Sequence, residues 1–337
     1  MMKRILPILL ILLLCACGTP EPIEEAETPE PTVGTEEIVI EKDGLSDPAI
    51  LVTAIPTPEP TPEPTDTPEP TPTPDGLLGG RFPDKFSDTP ILEDRSYKSK
   101  SIGIEIKRYD TDGVYGKQVV YFVADIYVQD VTSIKTEAAQ KDFTKNYTRL
   151  VADIARDAGA LLAVDGDTYG RTNRGFIVRN GIVYRKRLIE DKDICVLYRD
   201  GRMETFRRGK YKIDDVIAAD PWQVWNFGPE LLDKDGKAYP EYPGEVTRMR
   251  YEGPRCALGY YEPGHYCFVI VDGRQPGYSD GIKLVDLSRL MEDLGCTVAY
   301  NMDGGGSAIM YWNGEVISKG SNGTRTISDI IYLLPEE

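Results

Sequence analysis

Proline recurs at nearly every second position between Pro56 and Pro74, in near-repeats of Thr-Pro-Glu-Pro, and no other feature limits the fold of this chain as strongly. Proline fixes φ and offers no backbone donor, so the tract can enter neither a helix interior nor a central strand. It is expected as extended polyproline II, rising about 3.1 Å per residue, which gives some twenty residues a reach on the order of 60 Å. Thr19 to Leu51, upstream of it, is rich in Glu, Pro and Thr and poor in aromatic residues. Such a composition buries too little surface to offset the entropy of ordering. Residues 18–75 therefore read as a disordered acidic tether, and the folding unit is confined to residues 76–337, long enough for one sizeable core.

The chain begins Met1-Met2-Lys3-Arg4, runs through apolar residues from Ile5 to Leu14, and reaches Cys15-Ala16-Cys17-Gly18. A charged start, a short apolar stretch and a small-residue processing site describe a secretory signal peptide. The run is about half of the roughly 20 apolar residues a spanning helix needs. Leu14-Cys15-Ala16-Cys17 is similar to a bacterial lipobox, which makes residues 1–17 a lipoprotein signal and Cys17 the lipidated residue of a protein anchored on the outer side of the cell membrane. An ordinary secretory signal cleaved nearby is the plainer alternative. The proline tract could also serve as a ligand for proline-recognising domains, but those partners are mostly intracellular.

The formal net charge is −16. Fifteen acids and one base, Lys42, lie between Gly18 and Asp75, so the acidity belongs mainly to the tether and the folded part is near neutral. No basic stripe of the kind nucleic-acid binding uses is present. Four cysteines remain after the signal, Cys195, Cys256, Cys267 and Cys296, and three full disulfide pairings are open. None forms a C-x-x-C pair, so a zinc knuckle or a thioredoxin-like redox motif has no support. The one histidine, His265, follows Pro263-Gly264 and is expected to be a solvated turn residue.

Strand signals dominate the rest. After an irregular lead-in from Leu77 to Tyr97, extended runs cover Ile102 to Tyr109 and Val119 to Val131, the second alternating at Tyr121, Val123, Asp125 and Tyr127. Helical spacing at Leu150, Ile154 and Ala158 stops at Gly159 before an apolar strand, Ala160 to Val164. Asn180-Gly181 and Asp200-Gly201 each join two apolar runs as hairpin turns. A third hairpin runs from Cys256 through Pro263-Gly264 to Val271. Leu284, Leu287, Leu290, Met291 and Leu294 recur at helix spacing, closed by Gly295, and strands follow at Val298 to Tyr300, Ala308 to Trp312, Val316-Ile317 and Ile327 to Leu334. Many hairpin strands with two or three segregated helices imply an α+β fold with mixed, largely antiparallel sheet in a single catalytic domain, with N-terminal strands in 76–147 and the core in 148–337.

Two turns concentrate chemistry. Asn301-Met302-Asp303-Gly304-Gly305-Gly306-Ser307 sits between strands. Its glycines admit left-handed dihedrals, and its consecutive N–H groups can form an anion nest. No helix follows and no Gly-Lys-Ser/Thr is present, so neither a dinucleotide fingerprint nor a P-loop fits. Asp165-Gly166-Asp167-Thr168-Tyr169-Gly170 ends a buried strand with two carboxylates, able to hold a cation, to transfer protons or to cap the loop. Val271-Asp272-Gly273-Arg274 leaves another apolar strand, Arg255 opens the strand before it, and Arg325 opens the last. Arginine suits phosphate because its planar fork donates two parallel charged hydrogen bonds. Trp222, Trp225, Trp312 and Tyr169 could stack on sugars, although core positions are the commoner use.

In order and spacing, these elements resemble the phosphodiester glycosidase family from about Thr148 to Leu334. The resemblance rests on Ala163 to Tyr169, Asn226-Phe227-Gly228-Pro229-Glu230-Leu231-Leu232, Arg255-Cys256-Ala257-Leu258-Gly259, Val271 to Arg274, the helix ending at Leu294-Gly295, Asn301 to Ser307, and Arg325. Where the family commonly has Asn-Gly, this chain has Asp165-Gly166, so either an arginine pairs with Asp165 or the substrate differs. The resemblance implies hydrolysis between an anomeric carbon and a phosphodiester in a cell-surface or extracellular glycan, by a monomer. Phosphate is already a good leaving group, so the reaction needs charge stabilisation and a carboxylate more than a strong general acid. The first task falls to Arg255, with Arg274, Arg325 and the turn of Gly304, Gly305, Gly306 and Ser307; the second to Asp303, then Asp167. Asp165, Gly166, Asp272 and Asn301 complete the expected substrate contacts. No cofactor is required, with a divalent cation near Asp165, Asp167 or Asp303 left open. A non-catalytic glycan-binding lipoprotein and a metal-dependent phosphodiesterase are the alternatives.

Overall fold

The chain divides into Met1–Thr65 and Asp66–Glu337. A computed structural model describes residues 78, 80–112, 116–168, 175–187, 192–242, 247–321 and 323–336, all in the second unit. Cys17, the tether 18–75 and Tyr169 lie outside the described residues. In chain order the elements are β1 (Ile91–Leu92), β2 (Ser96–Lys98), β3 (Ile102–Thr111), β4 (Val119–Val128), β5 (Lys135–Ala138), α1 (Val151–Asp157), β6 (Leu162–Asp165), β7 (Gly175–Arg179), β8 (Ile182–Arg187), β9 (Ile194–Tyr198), β10 (Met203–Phe206), α2 (Ile213–Ala218), β11 (Pro221–Trp225), β12 (Arg255–Glu262), β13 (His265–Val271), α3 (Leu284–Asp293), β14 (Val298–Asn301), β15 (Met310–Trp312), β16 (Glu315–Val316) and β17 (Asp329–Leu333). This is the expected α+β architecture. No helix among the described residues is long and apolar enough to cross a membrane.

The strands form three sheets, ordered β1-β2-β3-β4-β13-β12-β14, β10-β9-β11-β7-β8 and β16-β15-β6-β17-β5. Every pairing between the named strands is antiparallel. The two-residue period of β4 explains the layering. Val120, Phe122, Ala124, Ile126 and Val128 enter the largest core, which all three sheets share. Val119, Tyr121 and Val123 point the other way and pack with Leu284, Leu287, Leu290 and Met291 of α3. Alternation thus splits one strand between two cores, as the pleat requires. Strands β12 and β13 divide in the same manner, with Cys256 and Leu258 against Ala257, and Phe268 and Ile270 against Val269 and Val271. Helices α1 and α2 each cover a smaller cluster.

Three local expectations change. The lead-in contains the short strands β1 and β2, which complete the edge of the seven-stranded sheet. Ala308 and Ile309 precede β15, because Gly305–Ser307 makes a 3-10 turn that uses up the chain before strand pairing begins. His265 is not a solvated turn residue. It is the first residue of β13, its ring stacks between Tyr127 and Tyr261, with ring centroids 4.1 and 4.0 Å away, and its Nε2 lies 2.6 Å from Asp125. All three tryptophans are buried, and the indole N–H groups of Trp222 and Trp312 donate to the carbonyls of Ile134 and Asp94, which places their rings in the core rather than on a sugar face.

Candidate active site

Antiparallel pairing of β12 with β14 aligns Ala257 with Asn301. Beyond the last pair, Met302 N–H donates to the Cys256 carbonyl at 2.8 Å and Gly305 N–H to the Pro254 carbonyl at 3.0 Å. The start of the arginine strand therefore runs beside the glycine turn. A Cβ on Gly304 would stand 2.7 Å from the Pro254 carbonyl oxygen, so only glycine permits this approach.

Asp303 is 5% exposed and held from three sides. Gly304 N–H donates to its Oδ1 at 2.9 Å, Ser307 Oγ–H to its Oδ2 at 2.8 Å, and the Arg325 guanidinium also reaches Oδ1. Arg325 further contacts Ser307 Oγ at 2.9 Å and donates to the Gly304 carbonyl at 3.0 Å. Arg325 thus orients Asp303 and closes the turn.

Arg255 is different. It is 7% exposed, and its fork donates to backbone carbonyls alone: Nε to Ile282 at 3.0 Å, Nη2 to Tyr251 at 2.7 Å and to Met249 at 3.3 Å. Burial, and then the charge of nearby Arg274, push its guanidinium down to about 10. Arg274 has a left-handed backbone, φ 58°, a conformation that costs a non-glycine residue on the order of 1 kcal/mol and that clusters at functional sites. Its guanidinium lies over two glycines, since a Cβ on Gly253 would meet Nε and Nη2 at 3.2 Å and one on Gly305 would meet Nη1 at 3.3 Å. Among the described residues it has no ion-pair partner. Two neighbouring guanidiniums, the buried Arg255 and the exposed Arg274, thus stand beside a turn of small residues as a cationic pair that an anion would neutralise.

The other elbow is built on charges the sequence did not reveal as a group. Asp167 is buried: Thr168 N–H donates to its Oδ1 and Asn226 N–H to its Oδ2, each at 2.7 Å. Arg179, fully buried at the end of β7, reaches Asp167 Oδ2 at 3.5 Å and Asp329 Oδ2 at 2.7 Å. Asp329 accepts the Asp167 N–H on its Oδ1 at 2.6 Å, closing the network. Burial pushes the Asp329 carboxyl up to about 6 despite Arg179. The only sequence signal for this pair is a charge at the edge of an apolar run, Arg179 after Phe176-Ile177-Val178 and Asp329 before Ile330-Ile331.

Asp165, the departure from the family's usual Asn-Gly, is not paired with an arginine. It is fully buried; its Oδ1 receives a long contact, 3.4 Å, from Ile309 N–H, and its Oδ2 has no partner. Burial first, and then Asp303, push its carboxyl well above the usual carboxylate range. Gly166 N–H donates to the Asp329 carbonyl at 3.0 Å, tying the elbow to β17. Asn301 donates from Nδ2 to the Gly228 carbonyl at 2.7 Å, while its buried Oδ1 has no partner. The Asn226 to Leu232 segment thus supports both elbows, through Asp167 and through Asn301. Asp272, expected to touch substrate, uses its carboxylate on the N–H groups of Lys319 and Gly320 and on Tyr278 Oη, clamping the loop that precedes Arg325. Among the described residues no group of three or more His, Cys, Asp or Glu side chains is placed to hold a metal ion.

The family model for phosphodiester glycosidases matches residues 158–334. An uncharacterised SPbeta prophage-derived protein of Bacillus subtilis (strain 168) is 26% identical over 252 residues, which are 67% of this chain and 39% of that protein. The chain thus spans about two fifths of that relative's length. The catalytic domain of zebrafish N-acetylglucosamine-1-phosphodiester α-N-acetylglucosaminidase, auto-inhibited by its pro-peptide, is similar in structure with a TM-score of 0.56 and 22% identity, over 75% of this chain and 86% of that one. A hypothetical protein from Synechocystis gives a TM-score of 0.52 at 13% identity, over 70% and 62% of the two chains. Identities this low show a shared fold, whereas the sequence match extends over more than half of the chain and takes in both carboxylate elbows and the arginine strand, so this chain belongs to the phosphodiester glycosidase family.

Proposed function

We propose that the chain is a lipid-anchored, extracellular hydrolase that cleaves the bond between a sugar's anomeric carbon and a phosphodiester in a cell-surface or extracellular glycan. The observation that carries this reading is the pair of guanidiniums, Arg255 and Arg274, beside the Gly304–Gly305 turn. A buried arginine whose donors meet only carbonyls, next to a second guanidinium with no ion-pair partner among the described residues, suits a diester phosphate and the monoester that leaves it. Asp303, fixed by Gly304, Ser307 and Arg325 in the same turn, is our candidate for activating water or attacking the anomeric carbon, and Asp167 is the reserve candidate.

The two neighbouring carboxyls stand in different surroundings: burial and the charge of Asp303 push Asp165 upward, while the Arg325 guanidinium sits on Asp303. Because phosphate leaves readily, the site does not need a strong general acid.

The test is hydrolysis of a panel of glycosyl phosphodiesters in heavy-oxygen water, with Asp303→Asn in parallel. Label in the released sugar together with loss of turnover by on the order of a hundredfold or more in the folded variant supports the reading. Label in the phosphate would replace it with P–O cleavage by a phosphodiesterase. Binding without turnover by the parent chain would leave a glycan-binding protein on the same fold.

A further inference from the structure

We infer that Cys267 and Cys296 become a disulfide when the chain folds in the presence of a disulfide oxidant. Cys267 lies on β13 directly opposite Gly259 of β12, and Gly259 in turn faces Ala299 of β14. Cys296 follows Gly295 at the end of α3, where its N–H donates to the Met291 carbonyl at 3.1 Å. The two sulfurs converge above Gly259, 3.7 Å from each other. A Cβ on Gly259 would stand 2.5 Å from the Cys267 sulfur and 2.7 Å from that of Cys296, so the missing side chain is what lets them meet. Both cysteines are buried, 0% and 4% exposed, in the cluster between the seven-stranded sheet and α3. Cys195 and Cys256 belong to the other core, and Cys256 turns its sulfur toward the Asp165 carbonyl at 3.9 Å. Of the three pairings open from sequence, the geometry leaves one bond, Cys267 to Cys296, and two thiols.

The contact has to shorten by roughly 1.7 Å to reach a bond of about 2.05 Å, a change within the range of side-chain rotation. In the reaction both Sγ–H bonds break, two protons leave, and two electrons pass to the disulfide of oxidised glutathione or of a protein dithiol oxidant, which is released as two thiols. Burial closes the pair to a bulky oxidant in the native state, so the bond forms during folding, while α3 is still undocked. The bridge would span β12, joining β13 to the junction of α3 and β14. At the same end of the sheet β12 begins at Arg255, β13 ends at Val271 and β14 ends at Asn301, and Gly259 is four residues, on the order of 13 Å, from Arg255. The crosslink therefore fixes the register of the strands that carry Arg255 and the Asp303 turn, from the end remote from them.

The experiment is carried out in solution, so it stands or falls independently of where the chain resides or what it hydrolyses. The full chain is reduced, denatured and refolded in a glutathione redox buffer, alkylated in denaturant without reductant, digested, and mapped by mass spectrometry. The expected result is a Cys267 peptide linked to a Cys296 peptide, separated by reductant, with Cys195 and Cys256 alkylated. Alkylation of both Cys267 and Cys296 in folded protein, or linkage of either to another cysteine, would overturn the inference.

Discussion

Replacing Arg179 with methionine should be the most damaging single change in the network beneath Asp167. The guanidinium is fully buried, lies 2.7 Å from Asp329 and 3.5 Å from Asp167, and also donates to the carbonyls of Val178 and Val224. Methionine fills much of the stem but leaves two carboxylates facing each other without a cation. Breaking a buried pair by removing one partner costs about 3–5 kcal/mol. For a domain of this size about 1 kcal/mol shifts the thermal midpoint by roughly 2–4 °C, so a fall of roughly 6–20 °C is expected. The pH dependence identifies the cause. Asp329 already has a raised carboxyl, at about 6. A carboxyl raised by folding contributes stability that is fully present below its unfolded value near 3.8 and is lost as pH rises through the folded value. Without Arg179 that folded value moves higher, so the variant continues to lose stability above pH 6, where the parent levels off. Urea unfolding followed by fluorescence of the buried tryptophans, from pH 5 to pH 8, should show the gap between variant and parent widening with pH. A gap independent of pH, or smaller than about 1 kcal/mol at pH 8, would refute the argument that Arg179 acts by neutralising Asp329 and Asp167.

Three further outcomes are expected. Arg255→Lys retains the charge but loses the fork, so steady-state kinetics should show weaker binding and slower turnover together, whereas a purely structural Arg255 would leave KM unchanged in the folded variant. Asp165→Asn replaces a carboxyl that burial raises with an amide that does not ionise, so its stability relative to the parent should rise with pH in urea titrations, because the parent alone carries a raised carboxyl whose contribution fades as pH increases; a relative loss at high pH would mean that the ionised form is the native one. Cys17→Ala should abolish metabolic labelling by fatty acid and release the protein from membranes, and continued labelling would place any lipid elsewhere.

Legibility followed the range of the interactions. Hairpin turns at Asn180-Gly181, Asp200-Gly201 and Pro263-Gly264, and the leucine spacing of α3, depend on neighbouring residues, so the sequence displays them and the structure contains them. Strands β5 and β11 and helix α2 were not legible, because each is short and owes its place to distant partners: β5 pairs with β17 near the far end of the chain. The same division holds at the site. The glycine turn, its Asp303 and the arginines could be found as local motifs, but which guanidinium is committed to a carboxylate could not. Arg325 and Arg255 look equivalent as strand-opening arginines, and only the fold gives the first to Asp303 and leaves the second with carbonyls.

The case of Asp165 shows how tertiary context can reverse a charge argument. Read along the chain, an aspartate in place of asparagine adds a negative charge beside a phosphate site, and either an arginine pairs with it or the substrate differs. In the fold the candidate cation nearby, Arg325, is committed to Asp303, and Arg179 serves Asp167 and Asp329. Asp165 is left buried and without a paired arginine, near a second carboxylate, and both conditions favour its protonated form. A protonated carboxyl and a carboxamide have nearly the same shape, and each offers one acceptor and at least one donor. In its protonated form Asp165 would therefore stand in for the asparagine of the usual Asn-Gly elbow with little change of shape.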